Sequence, residues 1–259
     1  MAIKLKSRRE IELMKKAGAL VAQVLSKLKE IAEPGITTGF LNRVALDMTE
    51  QAGAKALFKG VKSPYARTPF PGAICASLNE QIVHGIPSDK VVLKEGDILS
   101  IDFGIKLGGY CGDSAITFGI GEISEENEQL IEVTRKCLEI AEKNMKPGLK
   151  WSEIAGKMQS FVESNGFSVV TEYVGHGIGR NMHEDPKVPN FVSDDLLRND
   201  IYLKEGMVLA VEPMINAGCS ATKTLKDGWT VVTKDSRCSA HFEHTLAVID
   251  NKCEILTLG

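Results

Sequence analysis

The sequence predicts an α+β fold made of two similar halves, each laying two helices on antiparallel strands. Three observations lead there. Helical periodicity comes in two pairs, near residues 8–51 and 124–164. Each pair is punctuated alike: Pro34-Gly35 and Pro147-Gly148 end the leading helix, and Gly53 and Gly166 each follow 18 residues after that glycine. The segment Leu93-Lys94-Glu95-Gly96-Asp97-Ile98-Leu99-Ser100-Ile101-Asp102 resembles Leu203-Lys204-Glu205-Gly206-Met207-Val208-Leu209-Ala210-Val211-Glu212, and Val83-His84-Gly85-Ile86 resembles Gly175-His176-Gly177-Ile178. A period on the order of 110 residues is too long for a solenoid repeat. No linker-like run separates the halves, so residues 1–259 read as one domain with halves at about 1–120 and 121–259.

The elements follow in order. Ser7 is an N-cap, and Glu10 completes a capping box. Ile11, Met14, Leu20, Val21, Val24, Leu25 and Leu28 then recur at helical spacing until Pro34-Gly35. A second helix is predicted from about Thr38 to Gln51. Residues 97–118 read as a hairpin with its turn at Gly108-Gly109. Ser124 opens a third helix carrying Leu130, Ile131, Val133, Leu138 and Ile140, and a fourth runs from about Ser152 to Ser164. The segment Ser239 to Leu246 alternates like a strand.

Composition narrows the function. Lys+Arg is 31 against 34 Asp+Glu, a formal charge of -3, which does not predict a partner such as DNA or a membrane surface. No apolar stretch approaches the roughly 18 residues of a spanning helix. Met1 to Lys16 lacks the apolar core of a signal peptide, and its Glu10 and Glu12 argue against a transit peptide. Six scattered cysteines without a Cys-x-x-Cys suit reduced thiols and a cytoplasmic location.

The chemistry concentrates in carboxylates. Asp102 and Glu212 each follow an apolar, buried-looking strand, where an uncompensated charge is costly. With Leu107-Gly108 as the loop pair, Asp102 is expected to face Asp113 directly, with β-carbons about 4.5–5.5 Å apart. Facing anions call for a shared proton or a cation. By pseudo-symmetry Glu243 takes the place of Asp113, so four carboxylates converge at the centre and two divalent cations would neutralise them. The five histidines (His84, His176, His183, His241 and His244) lie in Gly- or acid-flanked segments rather than on apolar helix stripes. One imidazole among four carboxylates suits Mn, Fe, Co or Zn better than Ca.

Other chemistries fit poorly. Gly175-x-Gly177-x-Gly179 lacks the spacing of a nucleotide loop. His183-Glu184 and Glu243-His244 are not the zincin motif, and no serine-hydrolase elbow is present. Cys75 stands in an apolar strand-like run, which favours packing over nucleophilic attack.

Asp102 and Asp113, His176, Glu212 and Glu243 together resemble the five-ligand set of the methionine aminopeptidases, the "pita-bread" metallopeptidases. The surrounding motifs agree: Asn79-Glu80-x-x-x-His84-Gly85-Ile86-Pro87, Asp102-Phe103-Gly104, Gly175-His176-Gly177-Ile178-Gly179, Glu212-Pro213 and Glu243-His244-Thr245. The resemblance covers essentially the whole chain and is to the short bacterial-type form, type I. Only 29 positions separate His183 from Glu212, too few for the helical insertion that marks type II. The resemblance implies a pseudo-twofold fold with an antiparallel sheet, two flanking pairs of helices and a dinuclear metal site at the centre of a single catalytic domain.

It also implies roles. Asp102 would chelate one divalent ion, His176 and Glu212 the other, and Asp113 and Glu243 would bridge both. A water or hydroxide between them would attack, with Glu212 as proton shuttle. His84 and His183 would contact the peptide, the first near the scissile amide, the second at the carbonyl oxygen. Phe70, Cys75, Met182, Met214 and Trp229 would wall a methionine pocket, where thioether and aromatic contacts suit the side chain. Met182 stands where an aromatic is common, and His241 where Gln is common.

The expected function is removal of the initiator methionine from nascent proteins whose second residue is small. The alternatives are a related peptidase of X-Pro specificity and a non-catalytic binding relative. The chain is expected to act as a monomer. Its basic start (Lys4, Lys6, Arg8, Arg9, Lys15, Lys16) reads as a solvated helix face that a ribosome could touch transiently.

Overall fold

Helix α1 (Arg8–Ile31) begins where its capping chemistry dictates. Ser7 Oγ accepts from the Glu10 N–H, and the Glu10 carboxylate accepts from the Ser7 N–H at 3.0 Å. The computed structural model describes residues 3–258. Helix α2 (Thr38–Gln51) is capped by the Thr37 hydroxyl, and α3 (Glu125–Asn144) by that of Ser124. Helix α4 (Trp151–Ser164) starts one residue ahead of Ser152, with no side-chain cap. The Ser152 hydroxyl donates instead to Asp200 Oδ2 at 2.6 Å. A fifth, short helix, α5 (Asp194–Arg198), was not predicted; its single buried residue, Leu196, offers no periodicity to read.

In chain order the strands are β1 (Lys55–Ala56), β2 (Cys75–Leu78), β3 (Gln81–Val83), β4 (Ile98–Leu107), β5 (Tyr110–Gly119), β6 (Ser168–Val169), β7 (Gly175–Gly177), β8 (Glu184–Val188), β9 (Val208–Val211), β10 (Met214–Asn216), β11 (Thr222–Thr224), β12 (Val231–Thr233), β13 (Ser239–His241), β14 (His244–Ile249) and β15 (Lys252–Ile255). Every pairing between them is antiparallel. In the first half β5 pairs along one edge of β4, and β2 and β1 pair end to end along the other; in the second, β9 lies between β14 and β7. The halves are stitched where Ala115 and Glu243 exchange backbone hydrogen bonds of 3.3 and 2.9 Å.

Each half buries its helices against its own strands, which is the pseudo-twofold arrangement that the sequence predicts. Val21, Val24, Leu28 and Leu41 pack on Leu99, Ile101, Phe103 and Ile105. Leu130, Leu138, Trp151 and Met158 pack on Leu209, Val211, Leu246 and Val248. Helix α1 approaches the sheet closely at two glycines: a β-carbon on Gly112 would lie 2.7 Å from the Gly18 nitrogen, and one on Gly18 would lie 2.1 Å from the Leu256 carbonyl oxygen.

The β4–β5 register differs from the expected one. Leu107 pairs with Tyr110, so Gly108-Gly109 form the loop, Asp102 faces Ala115, and Asp113 faces Gly104. Both loop residues have positive φ, 58° and 89°. Glycine adopts such angles without steric cost, whereas leucine in the loop would be strained. The shift is two residues, so Asp102 and Asp113 stay on one face but as diagonal neighbours. Asp102 also lies within β4 rather than at its end, and the strand predicted over 239–246 is broken by Phe242 and Glu243.

Candidate metal centre and binding cavity

Strand pairing, not proximity in sequence, assembles the carboxylates. Ala115 faces Asp102 across β4 and bridges Glu243 on its other side, which lines Asp102 and Glu243 up across β5. Asp113 follows two residues along the same face. On the other half, Val211 pairs with His244, so Glu212 lies beside Glu243 at the next step of that register. His176 enters from β7, which pairs with β9 at Ala210.

The ligand atoms of Asp113, His176 and Glu243 lie within 4.8 Å of one another. His176 Nε2 is 3.8 Å from Asp113 Oδ2 and 3.7 Å from Glu212 Oε1. His176 Nδ1 sits 3.0 Å from the Gly177 carbonyl oxygen. That contact assigns the proton to Nδ1 and leaves Nε2 with a free lone pair, the usual state of a metal-ligating imidazole. The backbone around the acids is held by hydroxyls: Thr245 Oγ1 donates to the Asp113 carbonyl at 2.8 Å, and Ser114 Oγ to that of Glu243 at 2.5 Å.

The electrostatics are unbalanced without a cation. Asp113 and Glu243 are each 2% exposed. Asp102 Oδ1, Asp113 Oδ1 and Glu243 Oε1 are buried with no hydrogen-bond partner. Burial raises the Asp102 carboxyl to about 7. Burial first, then the neighbouring acids, pushes Asp113 and Glu243 well above the usual range; Glu212 is raised by burial and then by Asp102. The Ser114 backbone N–H offsets only part of this at Asp113. Divalent cations would satisfy the orphaned oxygens, so this donor set of four carboxylates and one imidazole fits a resident metal.

A cavity of about 240 Å³ opens onto the cluster. It is sized for one amino-acid side chain rather than a drug-sized ligand. Of the expected wall, Phe70, Cys75, Met182 and Trp229 line it, together with His84 and His183. Phe70 and Trp229 pack edge to face at 5.3 Å. Met214 is not among the lining residues. It sits on β10 opposite His241 and packs with Ile82, Val83, Val170 and Val231. Leu57, Phe58 and Val61 complete the wall and were not anticipated, because they lie in an irregular stretch with no periodicity to mark an inward face. The Cys75 thiol is pushed well up, by burial first and then by Asp102 and Asp113, which keeps it protonated.

The two histidines expected to contact a peptide are placed differently. His84 follows β3 in a left-handed conformation, φ 59°, which is rare outside glycine. The next residue, Gly85, lies tight against β2: a β-carbon there would lie 2.2 Å from the Ala76 carbonyl oxygen. Pairing of β3 with β12 brings Trp229 beside His84. The Tyr173 ring packs edge to face on His84 at 5.7 Å, a contact that sequence reasoning missed. Burial, then His183, lowers His84 to about 4. His183 is exposed at the mouth, its ring 4.4 Å from that of His176, and burial of part of the ring lowers it too. His241 is 1% exposed; its Nε2 has no hydrogen-bond partner and lies 3.7 Å from Glu212 Oε2. Burial and His84 lower it to about 3.

A match to metallopeptidase family M24 spans residues 12–250. The chain belongs to this family. It is 47% identical to the methionine aminopeptidase of Clostridium perfringens, over 98% of each chain. Among solved structures it is similar to the methionine aminopeptidase of Thermotoga maritima, with a TM-score of 0.93, 41% identity and full coverage of both chains. The X-Pro aminopeptidase of the same organism shares the M24 fold at a TM-score of 0.74, but only 23% identity, and this chain covers 62% of it. The M24 assignment makes the protein a hydrolase and accounts for the converging acids. All five expected ligand positions of this M24 chain meet at one centre, while the expected face-to-face aspartate pair is replaced by a diagonal one. No helix among the described residues is long and apolar enough to cross a membrane.

Proposed function

We propose that this chain removes an N-terminal methionine from nascent polypeptides whose second residue is small. One observation carries the reading: an apolar cavity the size of a single side chain, with Met182 and Cys75 in its wall, sits directly on the carboxylate cluster. A thioether side chain is matched by such soft, adaptable neighbours. The similarity to methionine aminopeptidases over the full chain supports the same specificity, and the distance from X-Pro enzymes weighs against the alternative.

In this reading Asp102 would hold one divalent ion, His176 and Glu212 would hold the other, and Asp113 and Glu243 would serve both. Bound there, ions of the Co, Mn, Fe or Zn type would neutralise the acids and lower the pKa of a water nucleophile. Phe70, Cys75, Met182 and Trp229 receive the methionine side chain and exclude water. A free α-amine, with a pKa of about 7.7–8.0, is partly neutral at physiological pH and can approach the cationic centre. His84, neutral because it is buried, is hydrogen-bonded to the Trp229 backbone and presents its ring near the scissile amide. His183, at the mouth, donates toward the carbonyl oxygen where negative charge grows. Glu212, part-buried and flanked by His176 and His241, takes a proton and returns it to the leaving amine.

The partner is the N-terminal peptide of a nascent chain, met in the cytoplasm by a monomer. Arg8, Arg9, Lys15 and Lys16 are exposed along α1 and could touch a ribosome transiently, although Arg8 and Lys15 already pair with Asp250 and Glu254. Mass spectrometry of Met-Ala-Ser and Ala-Pro peptides, with and without chelator, tests the reading. Loss of Met from the first, abolished by chelator, is expected. Cleavage of Ala-Pro alone would establish the X-Pro alternative, and cleavage of neither by metal-supplemented protein would leave a binding relative.

A further inference from the structure

We propose that His241 is a positioning residue for Glu212: its Nε2–H donates to Glu212 Oε2 and keeps Oε1 turned toward the acid cluster. The inference rests on the reading of Glu212 as a metal ligand and proton carrier. It starts from an unexplained polar atom. His241 is 1% exposed, and its Nε2 has no hydrogen-bond partner. Buried polar atoms in native proteins are almost always satisfied, so an orphan aimed into a site calls for a role.

The geometry supplies one. Glu212 Oε2 lies 3.7 Å from His241 Nε2, and Glu212 Oε1 lies 3.7 Å from His176 Nε2. The carboxylate therefore stands between two imidazoles, one at each oxygen. The Glu212 backbone is itself held, its carbonyl accepting from Asn190 Nδ2 at 3.0 Å. A contact of this length closes to a hydrogen bond with a shift of under about 1 Å, and such bonds commonly tighten once a site is loaded.

His241 is built to stay put. Its N–H donates to Thr117 Oγ1 and its carbonyl accepts from that same hydroxyl, each at 2.8 Å. Thr117 Oγ1 lies 2.8 Å from Ser100 Oγ. Because the one Thr117 proton goes to the His241 carbonyl, Ser100 must donate to Thr117, which fixes the direction of the whole chain of hydroxyls. On its other side His241 pairs with Met214 on β10, two residues beyond Glu212. The His241 backbone, from which the ring projects, is thus anchored through β4 and β5 on one side and β10 on the other. A neutral imidazole has one N–H to give. Glu212 is an acceptor without another donor at Oε2 among the described contacts, which assigns that proton to Nε2.

The experiment uses the full chain and Co(II) as the metal probe. Calorimetric titration of the metal-free protein with Co(II) is compared for the parent, His241→Ala and His241→Gln, alongside kcat and KM on a Met-Ala-Ser peptide. Removing a partner that orients a metal ligand typically costs on the order of 10–100-fold in affinity or activity. His241→Ala is expected to weaken Co(II) binding about tenfold or more and to lower kcat similarly, with KM within about twofold. His241→Gln, whose amide also presents an N–H, should recover most of both. Equal impairment of the two variants, or no effect of alanine on Co(II) affinity, would overturn the proposal. If the alanine variant does not fold, ¹⁵N-histidine spectra of the parent decide: a proton on Nε2 is expected, and a bare Nε2 with the proton on Nδ1 ends the idea. A parent that binds Co(II) but cleaves no methionyl peptide would fault the functional reading and leave the positioning test intact.

Discussion

Gly104 faces Asp113 across the β4–β5 ladder, and a β-carbon on Gly104 would lie 2.8 Å from Asp113 Oδ1 and 2.3 Å from Met182 Cε. The absent side chain at 104 is what leaves room for a ligand carboxylate and a cavity wall in the same place. Met182 can swing away, since it is the end of a flexible chain, but Asp113 cannot move without leaving the cluster. Gly104→Ala should therefore lower peptide turnover about tenfold or more while leaving the fold intact. Near-parent kcat with a normal circular-dichroism spectrum would show that the site has slack there.

Asp113→Asn removes a charge from the middle of the acid cluster and leaves an amide where a two-sided ligand is proposed. Elemental analysis should show metal content falling by about one ion per chain, and activity should fall with it. Two ions retained per chain would contradict the assignment of Asp113 between them.

His84 touches the cavity but is not among the ligand atoms that meet at the centre. His84→Ala should leave metal content unchanged and lower kcat about 100-fold, the scale of losing one positioned polar group beside the reacting amide. Turnover within threefold of the parent would remove His84 from the reaction.

The acid cluster makes a prediction about pH. Raised carboxyl pKa values mean that the folded, metal-free protein holds protons that the unfolded chain releases, so these groups destabilise it as pH rises. The buried histidines act oppositely. His84 and His176, lowered to about 4, and His241, lowered to about 3, add stability as pH rises through about 6.5, a gain that is complete only near about pH 7.5, once the unfolded histidines have lost their protons. Above that only the carboxylate effect remains, with Asp102 titrating at about 7. Chelator-treated protein should lose thermal stability between roughly pH 7.5 and 8.5, and added Mn(II) should restore it. A flat Tm over that window without metal would refute the charge imbalance.

Gly112 lets β5 lie against α1, with only 2.7 Å between a would-be β-carbon and the Gly18 nitrogen. The obstacle is backbone, which cannot rotate aside. Gly112→Ala should destabilise the fold by about 1–3 kcal/mol, as overpacking commonly does, measured as a lower urea midpoint at constant slope. An unchanged midpoint would mean that α1 shifts at no cost.

Much of this could be read from residues alone, and the reasons differ by element. Helices α1, α2 and α3 were legible because capping hydroxyls and apolar periodicity act within a few residues of one another. The duplication was visible because two halves carrying the same packing problem keep the same punctuation. The proposed ligand set of Asp102, Asp113, His176, Glu212 and Glu243 followed from acids placed where burial would be costly, and from the family resemblance their motifs carry. Only tertiary structure decided how those acids meet. The hairpin register turned on which two residues tolerate positive φ, a choice of backbone sterics that shifted Asp102 from Asp113 to Ala115. The bridge from Ala115 to Glu243 spans 128 positions, and nothing in either segment encodes the other. Met214 turned into the core, and Leu57, Phe58 and Val61 into the cavity, because side-chain direction in irregular segments is set by what packs around them. Local rules reach only as far as a turn of helix or a pair of strands; charge, shape and solvent exclusion at the centre belong to contacts between distant parts of the chain.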